Sequence, residues 1–247
     1  MQTPPKTIII VPTYNESENV GSLIPAVLDI ASHYEILVID DGSPDGTADL
    51  VKAMQVQSSG RIHLMERKAK SGLGTAYIAG FKWALERGYD LIFEMDCDFS
   101  HPPSSLPDLE RTCVEEGFDI AVGSRYTRGG KVQNWPMNRL MLSYGASLYV
   151  RLITGMPVKD PTAGFICYRR EILEKLNLDR VRFIGYAFQI EMKYKSFLHG
   201  ARIKEVPITF KDREKGVSKM STKIFKEGLL GVVVLRMEKA ARLGKGV

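Results

Sequence analysis

Residues 91–103 read LIFEMDCDFSHPP. A short apolar run, Leu91 to Met95, breaks off at Asp96-Cys97-Asp98 and a turn of Phe, Ser, His and two prolines. Such a run bounded by turn residues reads as a buried strand. Two carboxylates one residue apart at its end can converge on a hard divalent cation that bridges a diphosphate. An Asp-x-Asp by itself is a weak signal, so its surroundings decide the reading. Toward the N-terminus, Thr7–Val11, Ile36–Ile39 and Ile62–Met65 are further strand-like runs, and Ile120–Val122 follows downstream. Helical patterns over 20–31, 47–56, 75–87 and 106–115 alternate with them. Strand-helix alternation predicts an α/β fold with a mainly parallel central sheet and helices on both faces. Ligands of such sheets bind beyond the carboxyl ends of the strands. The first strand ends in Pro12-Thr13-Tyr14-Asn15-Glu16 and the second in Asp40-Asp41 followed by a Gly-Ser-Pro-Asp-Gly turn. Ser43 or Asp45 suits a helix cap there. Three strands thus end in polar or acidic turns, which folding alone does not require.

The chain has 247 residues, 44% of them apolar and 26% charged, which excludes disordered and collagen-like classes. A net charge of +5 favours anionic partners, whether phosphate-bearing substrates or a membrane surface. Cys97, Cys113 and Cys167 have no metal-ligand spacing and read as reduced thiols. No signal peptide is expected, and no apolar run reaches the roughly 20 residues of a membrane span. No nucleic-acid-binding motif is present.

Past Gly123 the alternation stops. Residues 137–153 are apolar almost all round, as in a core helix, the alternative being a helix lying on a membrane or lipid tail. Residues 203–210 return to strand character, with Pro207 marking an edge. Residues 224–243 read as a terminal helix with basic flanks. Gly72-Leu73-Gly74 lacks the third glycine of a dinucleotide fingerprint and reads as a tight turn, with Lys68 and Lys70 within reach of phosphate. Arg125, Arg128, Lys131, Arg139, Arg213, Lys215 and Lys219 supply cations on the later loops.

Together these motifs resemble family-two glycosyltransferases, and within them the polyprenyl-phosphate (dolichol-phosphate) mannosyltransferases of the soluble catalytic type. The resemblance runs from about Thr7 to Lys219 through PTYNE (12–16), VIDDGSPDGT (38–47), KSGLGTAY (70–77), MDCDFSHPP (95–103), GSRY (123–126), GGKVQNWP (129–136), DPTAGF (160–165), YAFQIEM (186–192) and DREKGVSK (212–219). It implies a GT-A nucleotide-diphospho-sugar transferase fold over residues 1–220 and a C-terminal amphipathic helix over 221–247 for docking on a membrane or partner. It further implies an inverting dolichyl-phosphate β-D-mannosyltransferase with GDP-mannose as donor and a polyprenyl or dolichyl phosphate as acceptor. Pro12, Tyr14, Glu16 and Asp40 or Asp41 would line the guanosine pocket. Asp96 and Asp98 would hold Mg²⁺ or Mn²⁺ with the diphosphate, Asp98 being counted as catalytic together with Arg125 and Arg139. Arg125, Arg139 and Ser143 would meet the acceptor phosphate, and Arg213 and Lys219 would close over the donor phosphates.

The chain departs from the family pattern in places. Ser100 stands where some members have a glutamine metal ligand, and a serine reaches less far. Ala187 stands where some have a basic residue. Some members carry C-terminal membrane helices that this chain lacks; the resemblance therefore implies a cytoplasmic protein, peripheral at the cytoplasmic face of a membrane or held by a small membrane anchor subunit. Two other functions fit the same pattern: a related enzyme using UDP-glucose or another nucleotide sugar, and a non-catalytic binding subunit. The intact Asp96 and Asp98 argue against the second.

Overall fold

In a computed structural model of the protein, residues 4–212 and 231–237 are described. The alternation expected from sequence is present: β1 (Thr7–Thr13), α1 (Ser17–Leu28), β2 (Tyr34–Asp40), α2 (Thr47–Gln55), β3 (Ile62–Glu66), α3 (Leu73–Glu86), β4 (Leu91–Glu94), α4 (Leu106–Val114) and β5 (Ile120–Ser124). Then follow β6 (Lys131–Gln133), α5 (Met137–Thr154), β7 (Ile166–Arg169), α6 (Arg170–Lys175), α7 (Tyr186–Leu198), β8 (Ile203–Pro207) and β9 (Thr209–Lys211). The seven-stranded sheet runs β3-β2-β1-β4-β7-β5-β8, and only β7 is antiparallel to its neighbours.

Side chains of successive strand residues face opposite ways, so one apolar strand feeds two cores. Ile9 and Val11 pack with α1, α2 and α4, whereas Ile8 and Ile10 pack with α3, α6 and α7. Each fully buried Ile or Val contributes roughly 1.5–3 kcal/mol of transfer free energy. The Gly72 turn is real, with φ +100°. Gly74 answers a different demand: a Cβ there would lie 2.8 Å from the Phe183 carbonyl oxygen and from the Phe188 ring.

Two expectations change. The strand-like stretch 203–210 is two strands: β8 ends the main sheet as its edge, and β9 pairs with β6 in a separate two-stranded sheet. Pro207 has no N–H to continue the ladder, and the chain crosses over at that point. Helix α5 is not a core helix. Only Ser147, Val150 and Thr154 are buried, while Met137, Met141, Tyr144, Leu148 and Leu152 form an exposed stripe, Leu152 being 75% exposed. Its buried side joins Ile190 and Tyr194 of α7 and Val232 and Leu235 of the helical residues 231–237. The remainder of the expected terminal helix, the boundary at residue 220, Arg213 and Lys219 lie outside the described residues. Among the described residues no helix is long and apolar enough to cross a membrane.

Candidate active site

The carboxyl ends of β1, β2, β4 and β5 open into a cleft of about 480 Å³. Pro12, Tyr14, Glu16 and Asp41 line it, as do Asp96, Asp98, Ser100, Arg125 and Arg139; in the sheet β4, which leads into the acidic pair, lies between β1 and β5. Three of the four non-glycine residues in the left-handed region among the described residues adjoin, in sequence, residues that line this cleft: Asn15 (φ 54°), Phe99 (φ 59°) and Asn134 (φ 65°). That conformation is costly for a side-chain-bearing residue and clusters at functional turns. At Phe99 it turns the chain back so that the Ser100 N–H donates to Asp98 Oδ1 at 3.1 Å.

The two acids at the end of β2 have different surroundings. Asp40 is 1% exposed, and its carboxylate accepts from the Thr13 hydroxyl (2.9 Å) and from the Ser43 N–H (2.8 Å) and hydroxyl (2.5 Å). It ties the β2–α2 turn and is not part of the cleft wall. Asp41 is in the wall and receives a bidentate fork from Arg67 (2.6 and 2.8 Å), which itself donates to Thr75 (2.9 Å). Asp45 accepts from the N–H of Ser17 (3.0 Å) and of Thr47 (3.1 Å), the first residues of α1 and α2, but the N-cap positions themselves are Glu16 and Gly46, so neither Ser43 nor Asp45 is the cap residue. Tyr14 carries the Lys70 ammonium 4.8 Å over its ring.

Asp96 is 40% exposed by side chain and Asp98 is nearly buried. The Asp96 N–H donates to Nδ1 of His101 at 3.0 Å, and the His101 ring stacks on Phe165. Burial lowers the His101 pKa to about 4, so the ring is neutral at ordinary pH and props the acidic turn as an acceptor. Among the described residues no three His, Cys, Asp or Glu side chains cluster as a complete cage. Two hard carboxylates in a cleft instead suit a hard divalent cation.

Arg125 is held from three sides. Its backbone N–H, Nε and Nη2 donate to Asp160 at 3.0, 2.7 and 2.6 Å, and Nη2 also donates to Thr162 at 2.8 Å. Burial alone would raise the Asp160 carboxyl; Arg125 outweighs it and holds Asp160 below the ordinary carboxylate value. Arg139 donates to Asp212 at 2.9 Å with its guanidinium 4.0 Å over Trp135. Ser143 is one turn along α5, outside the cleft wall, accepting from the Tyr126 hydroxyl at 2.7 Å. The sequence reading named no role for Asp160, Trp135, His101 or Gln189, all of which bear on the cleft; each lies in a quoted motif, and that was the only signal available.

The fold and this cleft define a GT-A glycosyltransferase. More narrowly, the chain belongs to glycosyl transferase family 2, whose model matches residues 8–177. It is similar to the polyprenol monophosphomannose synthase of Mycolicibacterium smegmatis, 47% identical over 227 residues, covering 92% of this chain and 85% of that protein. It is 43% identical over 227 residues to the undecaprenyl-phosphate mannosyltransferase of Micrococcus luteus, with 92% of both covered. The dolichol-phosphate mannosyltransferase of Pyrococcus furiosus is 38% identical over 230 residues, 91% of this chain but 62% of that longer protein. Among solved structures, glucosyl-3-phosphoglycerate synthase from Mycobacterium tuberculosis with Mn²⁺, UDP-glucose and phosphoglyceric acid superposes with a TM-score of 0.71 at 16% identity, over 94% of this chain and 80% of that one. At that identity it shares the fold.

Proposed function

We propose that the protein is an inverting mannosyltransferase that moves mannose from GDP-mannose to a polyprenyl (dolichyl) phosphate. The observation that carries this is one cleft lined by both an acidic pair, Asp96 and Asp98, and two arginines, Arg125 and Arg139. That arrangement suits a metal-bound diphosphate facing a second anion. The names of the similar proteins point to mannose and a polyprenyl phosphate as the two groups joined.

In this reading an acceptor phosphate oxygen attacks C1 of the mannose from the side opposite the diphosphate. The new O–C1 bond forms as the bond from C1 to the GDP oxygen breaks, and GDP leaves with the electron pair. A phosphate monoester is ionised near neutral pH, with a second pKa of about 6. A strong general base is therefore unnecessary, and catalysis consists of positioning two anions and offsetting their repulsion. A divalent cation held by Asp96 and Asp98, when bound, would neutralise charge on the departing diphosphate. Pro12, Tyr14, Glu16 and Asp41 are assigned to guanosine, Arg139 and Arg125 to the acceptor phosphate, Ser143 to its flank, and Arg213 and Lys219 to the donor phosphates. The exposed apolar stripe of α5, beginning beside Arg139, supports peripheral docking at the cytoplasmic face of a membrane, directly or with a small anchor subunit.

The test is product analysis. Purified protein is given dolichyl phosphate with labelled GDP-mannose or labelled UDP-glucose. The expected product is β-linked mannosyl phosphoryl lipid from GDP-mannose alone. A glucosylated lipid, or no lipid product from GDP-mannose, would sink the assignment.

A further inference from the structure

Behind the cleft, helix α7 buries charged and polar groups, Gln189, Glu191, Lys193 and Ser196, among apolar side chains. Ala187, Phe188, Ile190, Met192 and Tyr194 are buried, and Lys193 among them is 0% exposed. An ammonium withdrawn from water is costly unless it is paired and hydrogen-bonded. Lys193 Nζ donates to the Ala163 carbonyl at 2.6 Å and to the Gln189 carbonyl at 3.2 Å. The Gln189 side-chain amide in turn donates to the carboxylate of Glu94, also 0% exposed, at the end of β4.

Ala163 belongs to residues 160–164, which have no helix or strand assignment between α5 and β7. One backbone bond, from the Ala163 N–H to the Asp160 carbonyl at 3.2 Å, closes a turn in it, and the Asp160 N–H donates to Glu205 at 2.9 Å; the other contacts that fix it come from side chains. The segment starts with Asp160, the counterion of Arg125, and includes Thr162, which Arg125 also contacts; Thr162, Ala163 and Gly164 line the cleft. Arg125 thus grips the segment from the cleft side while Lys193 grips it from behind.

We propose that Lys193 is a positioning residue for the acceptor half of the cleft: by holding the Ala163 carbonyl it fixes the Asp160–Gly164 segment and, through Asp160 and Thr162, the guanidinium of Arg125. This rests on the assignment of Arg125 to the acceptor phosphate. The competing account is that Lys193 only balances the buried charge of Glu94.

Three variants separate these accounts: Lys193→Met, Lys193→Met combined with Glu94→Gln, and Arg125→Ala, each measured for Tm and for KM toward both substrates. Lys193→Met should lower Tm and raise the KM for polyprenyl phosphate roughly 10- to 100-fold, the scale of a small misplacement, with the KM for GDP-mannose within about twofold. The double variant, which removes both buried charges, should regain most of the Tm and keep the raised acceptor KM. Recovery of that KM together with Tm, or an equal rise in both KM values, overturns the proposal. A raised acceptor KM in Arg125→Ala beside an unchanged one in Lys193→Met overturns the role of Lys193 alone. An unchanged acceptor KM in Arg125→Ala overturns the underlying assignment of Arg125.

Discussion

Asp160→Asn changes one atom type and almost no volume, yet it removes the carboxylate that pairs with a largely buried arginine. The Asp160 side chain is 0% exposed and that of Arg125 is 9% exposed, so water screens the pair little. Three Arg125 N–H groups converge on the two carboxylate oxygens at 3.0, 2.7 and 2.6 Å. An asparagine keeps one acceptor and turns an NH₂ donor toward the guanidinium. Breaking a buried pair by removing one partner costs about 3–5 kcal/mol. Thr162 still accepts from Nη2 and Arg125 borders the cleft, so the low end, about 3 kcal/mol, is expected. That is a large share of the about 5–15 kcal/mol that holds an ordinary domain folded. The sign with pH follows from the Asp160 carboxyl lying below its ordinary value of 3.8 in the folded protein. Its contribution is complete above that ordinary value and disappears as pH falls through the lower folded one. Urea denaturation followed by circular dichroism should therefore show the full difference between wild type and variant at about pH 6, shrinking below about pH 4. A loss under about 1 kcal/mol, or a gap that stays constant into acid, would refute an ionised Asp160 as the anchor of Arg125.

Three further outcomes are expected. Asp98→Asn should keep its circular dichroism spectrum but lose roughly 100-fold or more in turnover, and EDTA should silence the wild type until Mg²⁺ or Mn²⁺ is restored; full turnover in chelator would end the metal reading. Arg139→Ala should raise the KM for polyprenyl phosphate about tenfold, the equivalent of one charge-assisted hydrogen bond, and spare that for GDP-mannose; equal effects on both would move Arg139 to another role. Leu152→Asp, at a site 75% exposed, should cut sedimentation with anionic liposomes at low salt roughly tenfold while GDP-mannose binding persists; unchanged sedimentation would take the α5 stripe out of the membrane contact.

Much of the architecture is legible in local pattern. Short apolar runs and strand-end turns mark β1 to β5, because a strand covered on both faces needs an apolar run and its ends need turn residues. The Asp96-Cys97-Asp98 element is legible for the same reason: a strand ends where the acids begin, and strand ends in parallel sheets face the ligand side. β7 is not legible. Ile166–Arg169 is short and apolar, and nothing within it says that it runs antiparallel between β4 and β5. Whether α5 is core or surface also escapes local pattern, since burial depends on which elements arrive to cover a helix.

The sequence by itself determined the α/β class, the side of the sheet that binds ligands, and the acids and arginines available there, all of which follow from apolar runs alternating with helical patterns and from residue chemistry. Only the tertiary structure decided what each of those residues faces. Asp40 and Asp41 are neighbours in the chain, yet one knits a turn and the other meets Arg67 across the cleft wall. Arg125 meets Asp160, and Lys193 meets Ala163, across 35 and 30 positions of sequence. Partners so far apart are brought together by the packing of whole elements, and no local period carries that information.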